Sequence, residues 1–432
     1  MQNMTKKRTV YVVGGARSPF LKMRQGPGPF SAADLAVEAG KALVRRYVSP
    51  TQFDQVIVGC ACPSEEEANI ARVIALRLGC GDKVPAWTVQ RNCASGLQAI
   101  DAARKSIETG ESDLILAGGT EAMSRAPLLY GPGMSRWLAQ GQGAKGVLAK
   151  LKWGLRFRPN FLRPIIGLMK GLTDPVVDLN MGQTAEEVAY RFKITREEMD
   201  AYAAMSHARC LAGQAQQAFE EITPIISKTG QYYDRDEGVR EDSTVERLAK
   251  LKPAFEKFGN ITAGNSSQIS DGAAWVILAS EEAVQRYNLP VLAEIVDVAW
   301  AGLDPAMMGL GPVHAMTALL QNNQLSFEDI DHYEINEAFA AQVLGCLKAW
   351  EDPAYCEEKL GIEPLNQPIE MSRLNPQGGA IAIGHPVGAS GARLVLHCSN
   401  MLIKNNQKYA LASLCIGGGQ GGAILLARAG GL

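Results

Sequence analysis

Two patterns of hydrophobic residues alternate along the first quarter of the chain: short continuous apolar runs, and apolar residues at helical spacing. Short apolar runs bounded by glycine or polar residues predict β-strands, and they lie at residues 9–15, 55–59, 86–89 and 113–117. Between them the apolar positions recur with helical spacing, at residues 32–47, 68–78 and 95–108. Strands that alternate with helices in this way predict an α/β domain with a parallel or mixed sheet. The last of these strands is expected to stop at Gly118-Gly119.

The same order returns in the last third of the chain. Strand patterns occur at residues 292–299 and 332–334, a helix is predicted from Ser390 to about residue 404, and a strand follows at 409–414. The helix-opening serine precedes the strand by 19 residues here and by 18 residues after Ser95. We interpret this match as an internal duplication of one α/β unit. The alternative, a chance likeness between two βα segments, stays open at this point.

Residues 126–260 interrupt the pattern. No Asp or Glu occurs between Ala122 and Thr173, whereas nine Lys and Arg residues do, interleaved with Trp, Phe, Leu and Ile. Cations that alternate with apolar residues are typical of a segment that contacts a membrane surface or a partner. The alternative is that the apolar residues pack internally while the charges stay solvated. Beyond this stretch, residues 184–191 and 196–219 have the pattern of amphipathic helices with acidic faces.

Composition narrows the class of protein. A chain of 432 residues is expected to form two or three subdomains, and its net charge of −2 gives no reason to expect nucleic acid. The nine cysteines follow no disulfide framework, which indicates reduced thiols in the cytoplasm. Cys60 and Cys62 have no second ligand pair nearby, so we expect no metal site. We expect neither a secretory signal nor a membrane span.

Four side chains have the chemistry of acyl transfer. Cys93 opens a predicted helix, whose first N–H groups favour a thiolate. Cys415 precedes Gly417-Gly418-Gly419, where the backbone can approach a ligand closely and donate to an oxyanion. His385 occupies a Gly-His-Pro turn, and Asn336 opens an Asn-Glu-Ala-Phe run. A thiolate, a base and a second acid/base group together suit acyl transfer through a covalent thioester.

Two of these residues also have simpler interpretations. Cys93 could be a small apolar core residue, since free cysteine is commonly buried. The small residues of its Asn-Cys-Ala-Ser-Gly setting leave space around the sulfur and favour catalysis. Asn336 could cap a helix that starts at Glu337, because Asn is a good N-cap, and both roles can coexist.

Seven motifs, taken in order, carry a family resemblance. They are NCASG at residues 92–96, GGTEAMS at 118–124, MGQTAE at 181–186, TAGNSS at 262–267, NEAF at 336–339, GHP at 384–386 and CIGGG at 415–419. The chain resembles the thiolases, the acyl-CoA acetyltransferases of the thiolase superfamily, over nearly its whole length. The resemblance implies an α/β fold with a duplicated, five-layered α/β/α/β/α core and an inserted loop domain. The N-terminal domain would comprise residues 1–125 and 261–285, the loop domain 126–260 and the C-terminal domain 286–432.

The resemblance also implies a role for each candidate side chain. Cys93 would take the acyl group, and His385 would activate Cys93 and help to bind the thioester oxygen. Asn336 would hold a water in that same oxyanion site. Cys415 would deprotonate the second acyl-CoA, or protonate the leaving enolate in the reverse direction. The N–H groups of Cys93 and Gly417 would form a second oxyanion hole.

The implied activity is acyl transfer between 3-ketoacyl-CoA and CoA, a thiolysis that releases acetyl-CoA in β-oxidation. Synthesis of acetoacetyl-CoA from two acetyl-CoA molecules would use the same residues. A third hypothesis is a non-catalytic acyl-CoA or lipid carrier, against which the intact Cys93, His385 and Cys415 argue. CoA would be a substrate, with Ser267 near its pantetheine, and no cofactor is implied. The family also implies a homodimer or a homotetramer.

The insertion resembles the long loop of the β subunit of trifunctional fatty-acid oxidation complexes. The acid-free stretch with interleaved aromatic residues predicts that residues 136–170 dock on a membrane surface or on an α-subunit partner, although part of their charge could instead meet the CoA phosphates. Two positions differ from the family pattern. Trifunctional β subunits have His where this chain has Asn336, and many short-chain thiolases have His where it has Asn180.

Overall fold

The computed structural model describes residues 7–366 and 369–430. Its strands are β1 Val10–Arg17, β2 Leu21–Lys22, β3 Gln55–Gly59, β4 Ala86–Val89, β5 Leu114–Ala122, β6 Leu128–Tyr130, β7 Pro164–Ile166, β8 Ile225–Ile226, β9 Tyr232–Tyr233, β10 Ser270–Ser280, β11 Ala293–Gly302, β12 His332–Ile335, β13 Tyr409–Ile416 and β14 Gln420–Ala427. Its α-helices are α1 Ala32–Gly40, α2 Ile70–Leu78, α3 Ser95–Glu108, α4 Pro132–Gly143, α5 Val147–Leu155, α6 Gly167–Gly171, α7 Met181–Arg191, α8 Arg196–Ala215, α9 Val245–Leu248, α10 Glu281–Tyr287, α11 Gly311–Asn322, α12 Ala340–Glu351, α13 Pro353–Tyr355, α14 Ala380–Ile383 and α15 Val387–Lys404. Strands β3 and β4 and helix α3 have the predicted bounds.

The sheet repeats one strand order on either side of its centre. The order is β12-β13-β14-β11-β1-β10-β5-β3-β4, and β2 pairs with β10. The central strands β1 and β11 are antiparallel to each other. On the β1 side of the centre, β1 pairs with β10 and β10 with β5 in antiparallel orientation. Strand β5 then pairs with β3, and β3 with β4, in parallel orientation. On the β11 side, β11 pairs with β14 and β14 with β13 in antiparallel orientation, and β13 pairs with β12 in parallel orientation. Leu374 then forms a parallel bridge to Tyr333 on β12, at the place that β4 occupies in the other half. The duplication predicted from sequence is therefore present.

Three hydrophobic clusters define five layers. Helices α3 and α15 form the middle layer, because their apolar residues share one cluster with the inward-facing residues of β3, β5, β10, β13 and β14. Helices α1 and α2 cover the outer face of one half of the sheet. Helices α11 and α12 cover the outer face of the other half. The α/β/α/β/α layering inferred from the family resemblance is confirmed.

The first turns of α3 and α15 pack against each other through paired glycines. A Cβ atom on Gly96 would lie 2.7 Å from the Gly388 carbonyl oxygen and 3.0 Å from the Ala392 nitrogen. A Cβ atom on Gly391 would lie 2.5 Å from the Leu97 nitrogen. Only glycine permits so close an approach of two backbones. The duplicated Ser-Gly pairs therefore bring two helix N-termini to one place in the middle of the molecule.

Strand β5 continues through Gly118-Gly119 to Ala122, so the prediction that it stops at this pair is wrong. Both glycines lie fully within the sheet. A Cβ atom on Gly118 would collide with the Ala274 carbonyl on β10, and one on Gly119 with the Gly388 carbonyl at the start of α15. The glycines thus mark close backbone approach inside a strand rather than its end.

The inserted chain between β5 and β10 begins with a small structure of its own. Strands β6 and β7 pair antiparallel, and helices α4 and α5 lie between them in sequence. No residue of β6, α4, α5, β7 or α6 is fully buried. The alternative in which the apolar residues of this segment all pack internally is therefore wrong. Among the described helices, none has both the length and the apolarity needed to cross a bilayer.

Candidate active site

Cys93 lies in the turn between β4 and α3, two residues before the helix begins. Asn92 has a positive φ of 42°, and its Nδ2 donates to the Gly417 carbonyl at 2.8 Å. The Ser95 hydroxyl donates to the Asn92 carbonyl at 2.7 Å and accepts from the Arg91 N–H at 2.9 Å. These hydrogen bonds fix the turn and hold Cys93 against the glycine-rich loop after β13.

The environment of the Cys93 sulfur favours the neutral thiol. Burial raises the pKa of Cys93, while hydrogen bonds from the N–H groups of Gly417 and of Cys93 itself lower it in part, and the Glu121 carboxylate adds to the rise. The prediction of a thiolate from the helix start is not supported, since loss of solvent outweighs the local N–H groups. The two N–H groups belong to two different segments, the Cys93 turn and the loop after β13.

Cys415 is fully buried near the end of β13, two residues before Gly417. Burial raises its pKa well above the ordinary value, and negative charge on Cys93 raises it further. The two thiols are therefore close enough to interact electrostatically. A Cβ atom on Gly417 would lie 3.2 Å from the Met181 sulfur, so the start of α7 closes the site over the glycine loop.

Asn336 connects this strand to the histidine. Its backbone N–H donates to the Ser413 carbonyl on β13 at 2.9 Å, and its Nδ2 lies 3.4 Å from His385 Nε2. Its Oδ1 is buried and has no hydrogen-bond partner within residues 7–366 and 369–430. Helix α12 begins only at Ala340, with Phe339 as its N-cap residue. The simpler interpretation of Asn336 as the cap of this helix is therefore wrong.

His385 stands between α14 and α15, and its tautomer follows from its hydrogen bonds. The Ser390 hydroxyl donates to the Pro386 carbonyl at 3.0 Å and lies 2.6 Å from His385 Nδ1. Because its proton is engaged, this hydroxyl accepts from Nδ1–H and leaves Nε2 unprotonated. Burial, aided by the Arg393 charge, lowers the pKa of His385 to about 4. At neutral pH the imidazole is a neutral base whose lone pair faces Asn336.

Ser267 lies in a segment that touches both the Asn336 and the His385 loops. Its backbone N–H donates to the Ala338 carbonyl at 2.9 Å, and the next residue, Gln268, accepts from the His385 N–H at 3.2 Å. Its side chain is half-buried. The structure thus brings Cys93, Cys415 and Gly417 together on one side and Asn336, His385 and Ser267 on the other, joined through β13.

A cavity of about 420 Å³ opens beside Cys93. Its walls come from the Cys93 turn, from the chain after β3, from Gly417-Gly418 and from inserted residues 167–176. Most of the lining is apolar, and its charged side chains within the described chain are the carboxylates Glu121 and Asp174. The inserted segment therefore supplies part of the space next to Cys93.

Two buried carboxylates were not recognised from the sequence as parts of this site. Glu121 accepts from the N–H groups of Ala61, Cys62 and Gly388 at 2.8–3.0 Å, which ties the cavity wall to the first turn of α15. Glu337 accepts from the Tyr202 and Ser206 hydroxyls at 3.0 and 2.6 Å, from Asn375 Nδ2 at 3.1 Å and from the Ile381 N–H at 3.2 Å. Burial raises the pKa of both. Glu121 lies near the end of β5 and Glu337 just after β12, each within a quoted motif, which is the signal that could have marked them.

Asn180 is an N-cap residue. Its side chain accepts from the Gln183 N–H at 3.0 Å, and Gln183 Oε1 accepts from the Asn180 N–H at 3.0 Å. This capping box fixes the start of α7 and with it Met181, which lines the cavity. An asparagine at this position thus has a structural reason that does not depend on substrate.

Within the described chain, a single group of side chains has the spacing of a metal site: His332, Glu334 and His397. They are buried between β12 and α15 and do not line the cavity at Cys93. Glu334 already accepts from Arg393 at 2.8 Å, and His397 Nδ1 lies 3.2 Å from a Glu221 oxygen. We assign the group to a buried charge network, and the absence of a metal requirement stays a prediction.

Comparisons with known proteins agree with this geometry. The family model described as Thiolase, N-terminal domain matches residues 10–282, and Thiolase, C-terminal domain matches residues 289–428. A beta-ketoadipyl-CoA thiolase of Acinetobacter baylyi is 41% identical over 429 residues, which cover 97% of this chain and 99% of the relative. The crystal structure of human mitochondrial 3-ketoacyl-CoA thiolase superposes with a TM-score of 0.84 at 38% identity, over 99% of this chain and 100% of that one. An acetyl-CoA acetyltransferase from Syntrophomonas wolfei gives a TM-score of 0.85 at 33% identity, over 98% and 100%.

Proposed function

The chain belongs to the thiolase family and is an acyltransferase that acts on coenzyme A thioesters, and we propose that Cys93 carries the acyl group. The observation that supports this most directly is the position of Cys93 in the wall of the cavity, which Gly417 also lines. The backbone N–H groups of these two residues suit the carbonyl oxygen of an acyl group attached to the Cys93 sulfur, where negative charge develops in the transition state. Cys93 is also only partly buried, beside the cavity.

In the first half-reaction, His385 Nε2 takes the thiol proton and Cys93 attacks the C3 carbonyl of a 3-ketoacyl-CoA. The C2–C3 bond breaks, the acyl group stays on Cys93 as a thioester, and the electron pair leaves with the acetyl-CoA enolate. Support comes from the neutral imidazole, whose pKa of about 4 leaves Nε2 unprotonated at neutral pH, and from the Ser390 hydroxyl that holds its Nδ1 proton.

Cys415 donates its proton to the enolate carbon. A thiol whose pKa is raised well above the ordinary value stays protonated until a strong base forms beside it. In the second half-reaction, CoA gives its thiol proton to the Cys415 thiolate and attacks the Cys93 thioester. Cys93 leaves and regains its proton from His385, so both groups return to their starting states. Run backwards, the same steps condense two acetyl-CoA molecules.

Asn336 and His385 bind the thioester oxygen of the enolate. The buried Asn336 Oδ1 has acceptor capacity with no partner in the described chain, which suits a water that donates to Oδ1 and to the enolate oxygen. Ser267 lies one residue from the contact with the His385 loop, and its half-buried side chain faces the pantetheine in our proposal. These are positioning roles for the substrate oxygen and the CoA arm.

Replacing the proposed nucleophile tests the assignment. Cys93→Ser should keep the fold but lose turnover and covalent labelling by radioactive acetyl-CoA, because a serine hydroxyl is a far weaker nucleophile without a strong base. Cys62 lines the same cavity, so Cys62→Ser is the matched control and should still take up the label. A labelled peptide without Cys93 in a digest of the unmodified protein would refute the proposal.

The preferred substrate, we propose, is a 3-ketoacyl-CoA with an uncharged apolar tail. Relatives of the chain include a beta-ketoadipyl-CoA thiolase and a 3-ketoacyl-CoA thiolase, and the adipyl chain in the first name ends in a carboxylate. The cavity beside Cys93 is mostly apolar, and its charged lining residues, Glu121 and Asp174, are acids. A second carboxylate buried there would lack a cationic partner and would meet like charge.

Substrate comparison decides this point. We expect kcat/KM for thiolysis of 3-ketooctanoyl-CoA to exceed that for 3-ketoadipyl-CoA by about 10²-fold, which corresponds to about 3 kcal/mol. Leu168→Trp, which fills the cavity, should lower the rate with 3-ketooctanoyl-CoA and spare acetoacetyl-CoA. A preference for 3-ketoadipyl-CoA, or an equal loss with both substrates in the variant, would contradict the proposal.

We further propose a homo-oligomer in a reducing compartment such as the cytoplasm. All nine cysteines of the sequence lie within the described chain and none forms a disulfide, as expected where thiols stay reduced. Oligomerisation is supported by an open edge of the large sheet, which is treated with its test in the Discussion.

A further inference from the structure

Residues 128–170 form a separate structure on the surface, which we term the basic hairpin. Strands β6 and β7 are its stem, and helices α4 and α5 pack together at its tip through Trp137 and Trp153. These rings stack with centroids 4.2 Å apart, and each indole N–H donates to the other residue's carbonyl. Phe157 packs edge-on against Trp137. The hairpin thus has its own small core, which fixes the positions of the side chains outside it.

The apolar residues outside this core remain exposed. Of the 23 large hydrophobic residues exposed in the described chain, 12 lie in the basic hairpin. The strongest concentration is on α5, where Val147, Leu148, Leu151 and Leu155 are 76, 77, 60 and 86% exposed. Positions 147, 151 and 155 repeat at a spacing of four, so they form one row along the helix. Such a patch on a folded protein marks a contact surface.

Cations surround this apolar row and are unpaired. The hairpin has eight, with no acidic residue: Arg136, Lys145, Lys150, Lys152, Arg156, Arg158, Arg163 and Lys170. Within the described chain, none of these eight cations forms an ion pair. Along the sequence, the cation after Lys105 that next forms an ion pair is Arg191. Lys150 also lies in the shallow groove that Val147, Leu151 and Leu155 line on α5. The surface therefore suits an anionic partner that also has an apolar interior.

Charge argues against a second copy of this chain as the occupant. A two-fold contact through the hairpin would place eight cations against the same eight cations. A protein partner would need a pocket that takes leucines and lysines alternating along one helix, whereas the centres of protein interfaces are depleted in Lys. A lipid surface accepts both groups at once, since leucines enter the acyl boundary while lysine and arginine heads reach the phosphates.

We propose that the basic hairpin docks the protein on an anionic lipid surface, with the Val147–Leu155 row in the headgroup boundary. The proposal is independent of the acyl-transfer assignment, because the hairpin core and its exposed row include none of the acid/base groups. The chain that follows β7 runs through α6 into the cavity wall at residues 167–176. Docking would therefore place the acyl cavity close to the lipid.

Vesicle co-sedimentation of the full-length protein tests the proposal. We expect binding to phosphatidylcholine vesicles that contain phosphatidylglycerol, little binding to pure phosphatidylcholine, and a loss of binding as salt rises. The combined variant Lys150→Glu, Lys152→Glu and Arg156→Glu should lower the partition coefficient at least tenfold. The combined variant Lys250→Glu, Lys252→Glu and Lys257→Glu makes the same change of charge at exposed sites elsewhere and should bind within about twofold of the unmodified protein.

The apolar contribution needs its own pair of variants. Leu148→Ser, Leu151→Ser and Leu155→Ser together should also lower binding at least tenfold, whereas Leu251→Ser, Phe258→Ser and Ile403→Ser, which are exposed elsewhere, should not. Thiolysis of acetoacetyl-CoA by all four proteins shows that they are folded.

Three outcomes would overturn the proposal. The first is no binding to anionic vesicles at low salt. The second is an equal loss of binding in the hairpin variants and their controls. The third is binding of the hairpin to a protein that vesicles do not displace. That protein would be an acyl-CoA hydratase–dehydrogenase subunit, or a second copy of this chain detected by light scattering.

Discussion

At the scale of single residues, burial determines which groups hold protons before substrate arrives. Loss of solvent raises the pKa of Cys93 and lowers that of His385 to about 4, so both are neutral near pH 7. A neutral pair avoids the cost of placing separated charges in an apolar site. In the proposed mechanism, proton transfer occurs as Cys93 attacks, and the negative charge that moves to the substrate oxygen meets N–H donors already in place.

The pH dependence of acylation follows from the His385 pKa. Because that pKa is lowered to about 4, the base stays unprotonated as pH falls from 7 to 5. Single-turnover acetylation by acetyl-CoA, measured by rapid quench, should therefore stay nearly constant over that range and decline only toward pH 4. His385→Ala should slow the step by about 10²- to 10⁴-fold. A decline centred near pH 6.5 in a protein still folded by circular dichroism would contradict this assignment.

Cys415→Ala should separate the two half-reactions. Acetylation of Cys93 by acetyl-CoA should stay within about tenfold of the unmodified rate, since CoA can leave as a thiolate that solvent protonates in place of Cys415. Condensation of two acetyl-CoA molecules should fall by about 10²- to 10⁴-fold, because nothing removes the α-proton.

Cys346 supplies the matched control, since it is a buried thiol that also raises the pKa of Cys415. Cys346→Ala should condense acetyl-CoA at nearly the normal rate. Equal rates of condensation in the two variants would remove Cys415 from the mechanism.

At the scale of elements, the contact between α3 and α15 determines the geometry of the site. Cys93 lies just before α3 and His385 just before α15, and the contact of Gly96 and Gly391 with the opposite backbone sets the distance between these helix starts. The Ser95 and Ser390 hydroxyls then fix the two turns by comparable hydrogen bonds to carbonyls three and four residues earlier.

Gly391→Ala should therefore disturb stability and activity together. The added methyl would lie 2.5 Å from the Leu97 nitrogen and 2.8 Å from the Leu97 Cβ, and the backbone there has no room to yield. Urea denaturation should show a loss of about 1–3 kcal/mol of unfolding free energy, with a lower acetylation rate. Gly154→Ala, in a helix with open space at that position, should be neutral or stabilising. A fully active, fully stable Gly391→Ala protein would contradict the importance of the contact.

Local pattern and chemistry predict the elements around the nucleophile but not their environment. Strands β3 and β4 and helix α3 follow from apolar runs and helical periodicity. The fully buried β10 contains a continuous apolar run from Ala273 to Ala279, which periodicity cannot distinguish from a buried helix. The pKa of Cys93 and the tautomer of His385 depend on burial and on Ser390, which are tertiary features. The sequence does not show that the glycines of β5 lie inside the strand, because the backbone groups they approach, at Ala274 and Gly388, are distant in sequence.

At the scale of the whole molecule, the ten-stranded sheet has one edge that is poorly protected. At the far end, β12 is flanked by the Leu374 bridge, whereas β4 pairs with β3 and with no other strand of the described chain. Exposed backbone at a sheet edge is a template for pairing with another chain. The half-exposed Trp87 on β4 adds apolar surface there. We expect a second copy to cover this edge.

Light scattering at micromolar concentration should give at least twice the mass of one chain. Trp87→Lys should shift the protein toward the monomer, because it puts a charge at the centre of the contact. Tyr190→Lys is the matched control, because Tyr190 is a highly exposed aromatic residue on α7 rather than on β4. This variant should leave the mass unaltered. A monomeric unmodified protein would contradict the expectation.

The paired glycine contact also has a consequence for the ancestry of the molecule. In a half-length ancestor that associated with a copy of itself, every side chain at the start of the central helix would have faced its own duplicate across the axis. A thiol would have met a thiol, and an imidazole an imidazole. Joining the two halves into one chain would have released that constraint, since the start of each central helix could then mutate independently of the other. The two helix starts do differ in this way, since the residue two before Ser95 is Cys93 and the residue two before Ser390 is Gly388.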